Sequence, residues 1–385
     1  MKDLKRWVWK YFSKYWPYLL IIFLTILFFW KVIFRGLVPI PADITVGLYY
    51  PWLDYKWGYE VGVPVKNNLP SDIVSVHLPF RLFAAEQIRN GNLPLWNNLV
   101  LSGTPLIANF QSGVFYPLNI LLFFISTIST TKAWTIQVML QPLLSALFTY
   151  MLLRNWKLSK ISSIFGAFAF AFTGFLLVWQ QYNIHGHVAY WLPAILLIID
   201  KYLKKPKIQY LVLVSIFITL SILAGYPQMV IYEALAVGIY LLFKRNEKYW
   251  IKHIFVIVIF ATLGLALSSI QVLPSLELLN ISNRSYDSQT IAIANQGFLP
   301  LKHLIGFFAP DYFGNPATGN WWGTGFYDNF ASYPSIVALT MAAIGIFMYW
   351  KKQEVRYLSV LLVISLLSAL KSPLSLFLFK TNILG

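Results

Sequence analysis

The chain contains no cysteine among its 385 residues, so disulfides, thiol nucleophiles and cysteine-ligated metals are excluded. Charged residues are also scarce: they make up 11% of the chain, against roughly 25% in ordinary soluble domains. Only 14 residues are acidic, so the position of each carboxylate carries information. This scarcity of charge argues against the two soluble domains that the length alone would allow.

Long apolar segments take the place of the missing charge. Hydrophobic residues make up 58% of the chain, and its mean hydropathy is +0.63. Apolar runs of about 20 residues recur, which is the length that crosses roughly 30 Å of hydrocarbon. We therefore predict an all-α polytopic membrane protein with about nine spans. The predicted spans are 17–36, 133–153, 161–179, 188–203, 208–225, 229–243, 253–273, 333–350 and 357–371, and the shorter run 117–129 is predicted to be re-entrant or interfacial.

The basic residues predict the orientation of these helices. Lys and Arg are retained in short cytoplasmic loops. With the predicted spans, 19 of the 30 basic residues lie on the side of the N-terminus, and nine of the 14 acids lie on the other. We expect a multi-pass protein of the cytoplasmic membrane with its N-terminus in the cytoplasm and extracytoplasmic loops at 37–116, 180–187 and 274–332. We interpret the net charge of +16 as the result of basic cytoplasmic loops that orient the helices and bind membrane lipid. We expect no nucleic-acid partner.

The two ends of the chain differ from the predicted transmembrane domain, 17–371. The segment 1–16, MKDLKRWVWKYFSKYW, is basic and aromatic, so we predict a cytoplasmic interfacial helix that leads into an uncleaved first span. The chain stops at FLFKTNILG, just after an apolar run. We therefore predict that 372–385 is a truncated extracytoplasmic end and that the chain is a fragment.

Two similar strings occur in the first long loop. PADITVGLYYPW (41–52) and PSDIVSVHLPFR (70–81) both begin Pro-x-Asp-Ile and contain, further on, Pro followed by an aromatic residue. An Asp in this setting is either an N-cap that accepts a backbone N–H or a carboxylate presented at a helix start beside the membrane. The second interpretation makes Asp43 and Asp72 candidate catalytic residues, acting as a general base or helping to hold a divalent cation.

Amides and aromatic residues are concentrated in the segment that follows. The string RNGNLPLWNNLVLSGTPLIANFQSGVFYPLN (89–119) contains Trp96, Asn97, Asn109 and Gln111. Amides bond to sugar hydroxyls and aromatic rings cover the C–H faces of sugars, so these four are candidate substrate-binding residues. The alternative is turn chemistry, because Asn and Gly are turn formers.

Three arginines on the predicted outer side are candidates for binding a phosphate group. Arg forms bidentate hydrogen-bonded pairs with phosphate. We assign this role to Arg81, Arg89 and Arg284. The alternative is an exposed loop charge or an interface anchor.

A further polar cluster lies in WQQYNIHGHVAYWLP (179–193), between two predicted spans. His185 and His187 flank one glycine close to Asn183. We predict that these residues bind either the donor phosphate or the acceptor. Polar residues at a tight turn are the alternative, and two histidines without a nearby acid leave any metal site unknown.

Two other features have alternative interpretations. Glu233 falls within a predicted span, where it is either functional or a neutral group bonded to a neighbouring helix. In the late loop, Asp311 and Asp328 accompany Trp321 and Trp322. This arrangement is typical of a carbohydrate-contacting surface or of an interface loop with aromatic anchors.

Three strings in order carry a resemblance to a known family. They are LPLWNNLVLSGTPLIANFQSGVFYPLN, LLRNWKLSKISSIFGAFAFAFTGF and WLPAILLIIDKYL, which follow Asp72. This order resembles the bacterial YfhO family of membrane proteins over about residues 39–274. That family is similar to GT-C glycosyltransferases, which include the protein O-mannosyltransferases and the lipid A aminoarabinose transferases.

The resemblance implies a GT-C-like transmembrane helix bundle with a long, helix-containing first extracytoplasmic loop. It also implies a polyprenyl-phosphate-linked sugar as donor and a catalytic acid in that loop. GT-C members often carry an Asp-x-Asp or Glu-x-Asp pair there, whereas this chain has isolated Asp43, Asp54 and Asp72. The base is therefore not assigned to one residue, and Mg or Mn is retained as a candidate cofactor rather than a required one.

The favoured hypothesis is a membrane glycosyltransferase that moves a sugar from a polyprenyl-phosphate donor to a cell-envelope acceptor on the outer face. The acceptor is a teichoic-acid-like polymer, a glycan or a protein. A transporter or flippase for lipid-linked sugar is the first alternative, and it predicts ionisable residues near the bilayer midplane. A non-catalytic envelope scaffold is the second, and it predicts that Asp43→Asn and Asp72→Asn change nothing.

Overall fold

The computed structural model describes residues 2–119, 127–246, 248–282 and 298–380. The structure is 71% helical. Within the described ranges its one sheet is a hairpin in which β1 (Trp96–Asn97) pairs antiparallel with β2 (Thr104–Pro105). The prediction of an all-α protein is confirmed.

The helices fall into three groups along the chain. The first group precedes the hairpin and consists of α1 (Lys2–Phe28), α2 (Trp30–Arg35), α3 (Ala42–Leu48) and α4 (Leu78–Arg89). The second consists of α5 (Thr127–Asn155), α6 (Lys160–Ala171), α7 (Gly174–Val178), α8 (His185–Ala189), α9 (Trp191–Lys204), α10 (Ile208–Leu223), α11 (Pro227–Phe243), α12 (Trp250–Leu267) and α13 (Ser269–Ile281). The third consists of α14 (Tyr327–Phe330), α15 (Ile336–Tyr349), α16 (Gln353–Ala369) and α17 (Pro373–Lys380).

Several single turns join these helices. A π-helical turn, Ile73–His77, leads directly into α4. The 3-10 turns are Trp52–Gly58, Phe110–Ser112, Gln180–Tyr182, Leu301–Phe307 and Pro316–Thr318.

Three helices in the described ranges are long and apolar enough to cross a membrane. They are Tyr11–Phe28 within α1, Thr130–Asn155 within α5, and α12. The helices α6, α10, α11 and α15 are apolar but shorter, with 10 to 17 residues each. Membrane-spanning helices are therefore present, while the total of nine spans and their orientation remain predictions. The predicted re-entrant run 117–129 lies mostly outside the described residues.

One predicted span, 161–179, is broken into two helices. α6 ends at Ala171 and α7 begins at Gly174. The Gly174 N–H donates to the Tyr333 carbonyl at 2.8 Å, and a Cβ at Gly174 would lie 3.1 Å from the Ala331 carbonyl oxygen. The late loop thus approaches the backbone here and supplies the hydrogen bond that a continuous helix would have supplied.

Two other boundaries differ from those predicted. The basic segment 1–16 is not separate from the first span, because α1 continues from Lys2 to Phe28 through Pro17. The predicted span 253–273 is divided at Ser268, where α12 ends and α13 follows.

α9 is the central helix of the bundle. Its buried residues run from Trp191 to Leu203, and Ile199 is 0% exposed. These side chains form one hydrophobic cluster with residues of α5, α10, α11 and α12, such as Leu211 and Tyr240. A helix that is apolar on nearly every face is expected at the centre of a bundle.

One end of the bundle, which we call the basic end, is held together by a buried carboxylate. Asp200 is 1% exposed and accepts hydrogen bonds from the Tyr240 hydroxyl at 2.8 Å and the Asn155 amide at 2.5 Å. The ammonium groups of Lys204 and Lys244 lie 2.5 and 3.2 Å from its oxygens. α5, α9 and α11 therefore meet around one neutralised charge.

The other end of the bundle, which we call the loop end, is formed by 37–116, 172–190 and 298–335. α1 and α5 run between the two ends. At the basic end, Lys160 at the start of α6 donates to the carbonyl of Ser13 in α1. At the loop end, one hydrophobic cluster joins the chain just after α1 and helix α5 to the first long loop and the turn before α8. Its buried residues are Phe29, Trp134, Val138, Ile73 and Tyr182.

Candidate functional site

The two Pro-x-Asp-Ile strings begin similar local structures. Asp43 lies in the first turn of α3 and Asp72 directly precedes the π-helical turn. The next residue is 0% exposed in both cases, at Ile44 and at Ile73. The shared sequence therefore serves a short helix anchored by a buried isoleucine.

The two aspartates differ in what they contact. Asp43 is half-buried, and its Oδ2 accepts the backbone N–H of Lys66 at 3.0 Å, which ties two parts of the loop together. Asp72 is exposed and forms no side-chain cap hydrogen bond with its own helix. Asp72 is thus the carboxylate of this pair that is presented to solvent.

A buried tyrosine and a buried aspartate join three distant segments beside Asp72. The Tyr182 hydroxyl donates to Asp328 Oδ2 at 3.2 Å and lies 3.4 Å from the Leu69 carbonyl oxygen. The Trp179 indole N–H donates to the Asp328 backbone carbonyl at 3.2 Å. Tyr182 and Asp328 are each 5% exposed. The first loop, the turn before α8 and the late loop therefore meet at one place.

The electrostatics of this junction follow from burial. Burial raises the pKa of Asp328 to about 6, although the hydrogen bond from Tyr182 acts in the opposite direction. Burial is also the main reason that the pKa of Tyr182 lies well above its ordinary value, and the charges of Asp328 and Asp72 raise it further. Both carboxylates thus act on one hydroxyl. A carboxyl pKa near 6 is typical of groups that exchange protons near neutral pH.

Two neutral histidines line the same junction. His185 is 3% exposed and lies between Trp179 and Tyr226, with ring centroids 4.1 Å from each. Burial lowers the pKa of His185, and of His77 close to it, to about 3. In the described part of the chain, both ring nitrogens of His185 and Nδ1 of His77 have no hydrogen-bond partner.

Close to these rings lies a buried guanidinium that has no acidic partner among the described residues. Arg81 is 2% exposed, stacks on Trp134 at 4.9 Å, and donates to the Asn183 carbonyl at 2.9 Å. A longer contact of 3.5 Å reaches Gln137 Oε1. Among the described residues no carboxylate lies within 4.0 Å of Arg81. Burial lowers its pKa to about 9, so it remains charged at neutral pH and gives this site a positive potential.

The side chain of Asn183 organises the amides around Arg81. Asn183 is 0% exposed and has a left-handed backbone (φ 59°), which Asn tolerates better than most residues. Its Nδ2 donates to Gln137 at 2.8 Å, and its Oδ1 accepts from Gln141 and from His187 Nε2, both at 2.9 Å. Burial lowers the pKa of His187 to about 3, so its imidazole is neutral and its Nδ1 faces the Tyr190 hydroxyl.

The predicted site residues therefore separate by exposure. Arg81, Asn183, His185 and His187 come together in the buried network, so in this conformation they have no surface on which substrate can lie. The predicted site residues that are exposed at this end are Asp72, Arg89 and Trp96. Arg284 lies outside the described residues.

The predicted sugar-binding amides lie in turns. Asn97 Oδ1 accepts the Leu99 N–H at 3.0 Å, and Asn109 Oδ1 accepts the Gln111 N–H at 2.9 Å. The 55% exposed ring of Trp96 covers Gly103, whose added Cβ would lie 2.4 Å from the indole nitrogen. These contacts match the turn-chemistry alternative, and a substrate role for Asn97, Asn109 and Gln111 stays a prediction.

Several residues of the junction were absent from the predicted site. Gln137 and Gln141 are four residues apart in an apolar span, and this spacing is a readable signal for one polar helix face. His77 and Arg81 show the same spacing within the second Asp string. The contact of Tyr182 with a late-loop aspartate has no local signal.

The residues at the loop end do not form a recognisable metal site. Within the described ranges, no three His, Asp or Glu side chains come together in a way that would hold a metal ion. The arrangement offers one exposed carboxylate, one buried carboxyl with a raised pKa and a buried positive charge. The Mg or Mn of the sequence analysis stays a prediction, and no step below depends on it.

These features define a class: an α-helical membrane protein with a polar junction where its loops meet the ends of its helices. Residues 66–380 match the family described as "Bacterial membrane protein YfhO", and the chain belongs to this family. The family resemblance expected from the sequence is thereby confirmed. No curated protein and no solved structure matches the chain.

Proposed function

We propose that this protein is a membrane glycosyltransferase that moves a sugar from a polyprenyl-phosphate donor to a cell-envelope acceptor at the loop end. One observation carries the proposal. The exposed Asp72 directly precedes Ile73, which packs in one cluster with Tyr182, and the Tyr182 hydroxyl donates to the buried Asp328. The guanidinium of Arg81, with no carboxylate within 4.0 Å among the described residues, donates to the carbonyl of Asn183, the residue after Tyr182. An inverting transfer requires a base for the acceptor and a positive potential for the leaving phosphate.

The chemistry assigns a role to each group. The acceptor oxygen attacks the anomeric carbon of the sugar and transfers its proton to Asp72. The bond between that carbon and the phosphate oxygen breaks, and its electron pair leaves with the polyprenyl phosphate. Asp328 and Tyr182 position the junction, while Arg81 stabilises the negative charge through its field rather than by contact.

Two exposed side chains are suited to bind the lipid-linked sugar donor. Arg89 is exposed in the last turn of α4, where it is suited to bind phosphate as predicted. Trp96 presents a large exposed ring to a sugar or to the polyprenyl chain. Asp43 is the second candidate base, although it already accepts a hydrogen bond from Lys66.

The transporter alternative is favoured by one specific residue. Glu233 is 5% exposed in α11, one of the apolar helices, and accepts a hydrogen bond from the Ser221 hydroxyl at 2.5 Å. Ionisable residues in the interior of helices are typical of transporters. Transfer and transport are distinguishable because only transfer forms a new glycosidic bond.

The test uses the purified chain in liposomes with radiolabelled polyprenyl-phosphate hexoses and an envelope extract as acceptor. We expect Asp72→Asn to reduce the initial rate of label transfer by about 100-fold or more, as is usual for loss of a general base. Asp54→Asn removes an exposed acid from the same loop and should stay within about twofold of wild type. Undiminished transfer in Asp72→Asn and in Asp43→Asn would remove the catalytic assignment. Movement of the donor across the bilayer without a new bond would favour the transporter.

The variant Asp328→Asn is expected to increase the stability of the protein and to decrease its activity. The folded pKa of about 6 lies above the ordinary 3.8, so the folded state binds more protons than the unfolded state between these values. Asp328 therefore destabilises the fold above about pH 6, and this penalty disappears below pH 3.8. At pH 8 we expect Asp328→Asn to raise the free energy of unfolding by about 1–2 kcal/mol and to slow transfer. Chemical unfolding at pH 8 and at pH 5 measures the first effect, and a variant less stable than wild type at pH 8 would contradict it.

A further inference from the structure

A cationic cleft lies at the basic end, far along the bundle from the junction described above. Its volume is about 670 Å³, and it opens between α1, α5 and α6. Three of its lining residues are basic and none is acidic. The lining residues are Ser13, Lys14, Tyr15, Tyr18, Tyr150, Arg154 and Lys160.

The walls of the cleft are held in place by defined contacts. Lys160 donates to the Ser13 carbonyl, which fixes α1 against the start of α6. The Arg154 guanidinium donates to the Leu158 carbonyl at the end of α5. Tyr18 packs edge-on against the ring of Tyr150, which is 2% exposed, with centroids 5.2 Å apart. The three cations are therefore carried on packed helices rather than on a loop.

The surroundings of the cleft are apolar. Leu19, next to Tyr18, is 56% exposed, and Ile161, next to Lys160, is 74% exposed. Phe165, one turn further along α6, is 41% exposed. Water-facing helices do not present such rows, whereas hydrocarbon chains cover them. A soluble anion would use the cations and leave these side chains exposed.

We propose that this cleft binds the headgroup phosphate of an anionic phospholipid in the leaflet at the basic end. The phosphate oxygens contact Arg154, Lys160 and Lys14, because clustered cations beside a spanning helix attract anionic headgroups. The acyl chains lie along the exposed side chains of α1 and α6. The site is separate from the proposed transferase junction and does not depend on it.

The experiment measures binding of short-chain phosphatidylglycerol to the purified full chain in detergent by native mass spectrometry. Phosphatidylcholine with the same chains, inorganic phosphate and glycerol phosphate are tested in parallel. We expect the double variant Arg154→Gln, Lys160→Gln to lose about 25-fold in affinity for phosphatidylglycerol, since each basic residue near a lipid surface contributes about fivefold. The matched control Lys205→Gln, Lys207→Gln removes the same charge from exposed positions at the same end and should change affinity less than twofold.

Three results would overturn the proposal. Equal binding of phosphatidylcholine would remove the requirement for an anion. Competition by inorganic phosphate or glycerol phosphate at the lipid's own concentration would indicate a site for soluble phosphate. An equal loss in the control variant would reduce the effect to general electrostatic attraction. If the double variant does not elute as a folded protein, Lys14→Gln replaces it, because that side chain is exposed; about fivefold weaker binding is expected.

Discussion

Three buried histidines make the fold sensitive to acid at the scale of single residues. Burial lowers the pKa values of His77, His185 and His187 from 6.5 to about 3. The folded state therefore binds fewer protons than the unfolded state between these values. Stability falls as the pH falls from about 6.5 towards 3, and above 6.5 these groups have no effect.

The variant His185→Phe isolates one of these contributions. Phe preserves the ring between Trp179 and Tyr226 and removes two buried nitrogens that have no partner in the described structure. One protonation difference changes stability by about 1.4 kcal/mol per pH unit. When the pH is lowered from 8 to 5, we expect the free energy of unfolding of the variant to fall by about 2 kcal/mol less than that of wild type. Unfolding by denaturant in detergent at both pH values measures this difference, and parallel losses in the two proteins would refute it.

At the scale of helices, small residues allow α10 and α12 to approach closely. The Ser215 hydroxyl donates to the Phe260 carbonyl at 2.6 Å, and the Thr219 hydroxyl donates to the Gly264 carbonyl at 2.9 Å. A Cβ at Gly264 would lie 2.7 Å from the Ser215 carbonyl oxygen. Close backbone contact with hydrogen bonds between helices is a usual way for helices to associate in membranes.

Gly264→Ala is therefore expected to force the two helices apart. We expect it to lower the free energy of unfolding by about 1–3 kcal/mol, the usual cost of overpacking. Gly238 lies in α11, and among the described residues no atom beyond its chain neighbours and its own helix backbone lies within 4 Å of an added Cβ, so Gly238→Ala is the matched control. It should be neutral or should stabilise by about 0.5–1 kcal/mol, because Ala is the better helix former. Thermal unfolding of both variants tests the pair, and the prediction fails if their midpoints shift equally.

Hydrophobic runs located the helices better than they located the helix ends. The runs are long because the bilayer requires it, so α5 and α12 are recognisable from composition. The break between Ala171 and Gly174 is not, because it depends on the late loop packing against Gly174. Local propensity carries no information about a partner that lies far along the chain.

The whole molecule has two chemically different ends. The basic end contains the charged cluster around Asp200 and the cationic cleft, whereas the loop end contains amides, aromatic rings and the two carboxylates beside Tyr182. This asymmetry agrees with retention of Lys and Arg on the cytoplasmic side. Both the transferase proposal and the lipid proposal place each end on a definite side of the membrane.

The absence of cysteine makes this orientation directly testable. Asn92→Cys adds one exposed thiol at the loop end, and Lys207→Cys adds one at the basic end. In intact cells a membrane-impermeant maleimide should label only the first variant, and both should be labelled after permeabilisation. Labelling of Lys207→Cys alone in intact cells would invert the topology and place the transferase junction on the wrong side for an envelope acceptor.

The candidate site was only partly predictable. The repeated string around Asp43 and Asp72 signalled a shared local structure, and the structure explains the repeat by the buried Ile44 and Ile73. The strings could not show that the Asp43 carboxylate accepts a hydrogen bond from the Lys66 backbone N–H while the Asp72 carboxylate is exposed. Similar flanking residues begin a short helix in both places, but the contacts of each carboxylate depend on what packs against it.

Composition and the spacing of apolar and basic residues were enough to establish a helical membrane protein with one basic end, because solvation by lipid and water acts on each segment separately. The contact of Tyr182 with Asp328 could not be obtained in this way. Nor could the burial of Arg81 with no carboxylate within 4.0 Å among the described residues. Both arise when loops distant in the chain pack together, and burial then sets the pKa values on which the proposed chemistry depends.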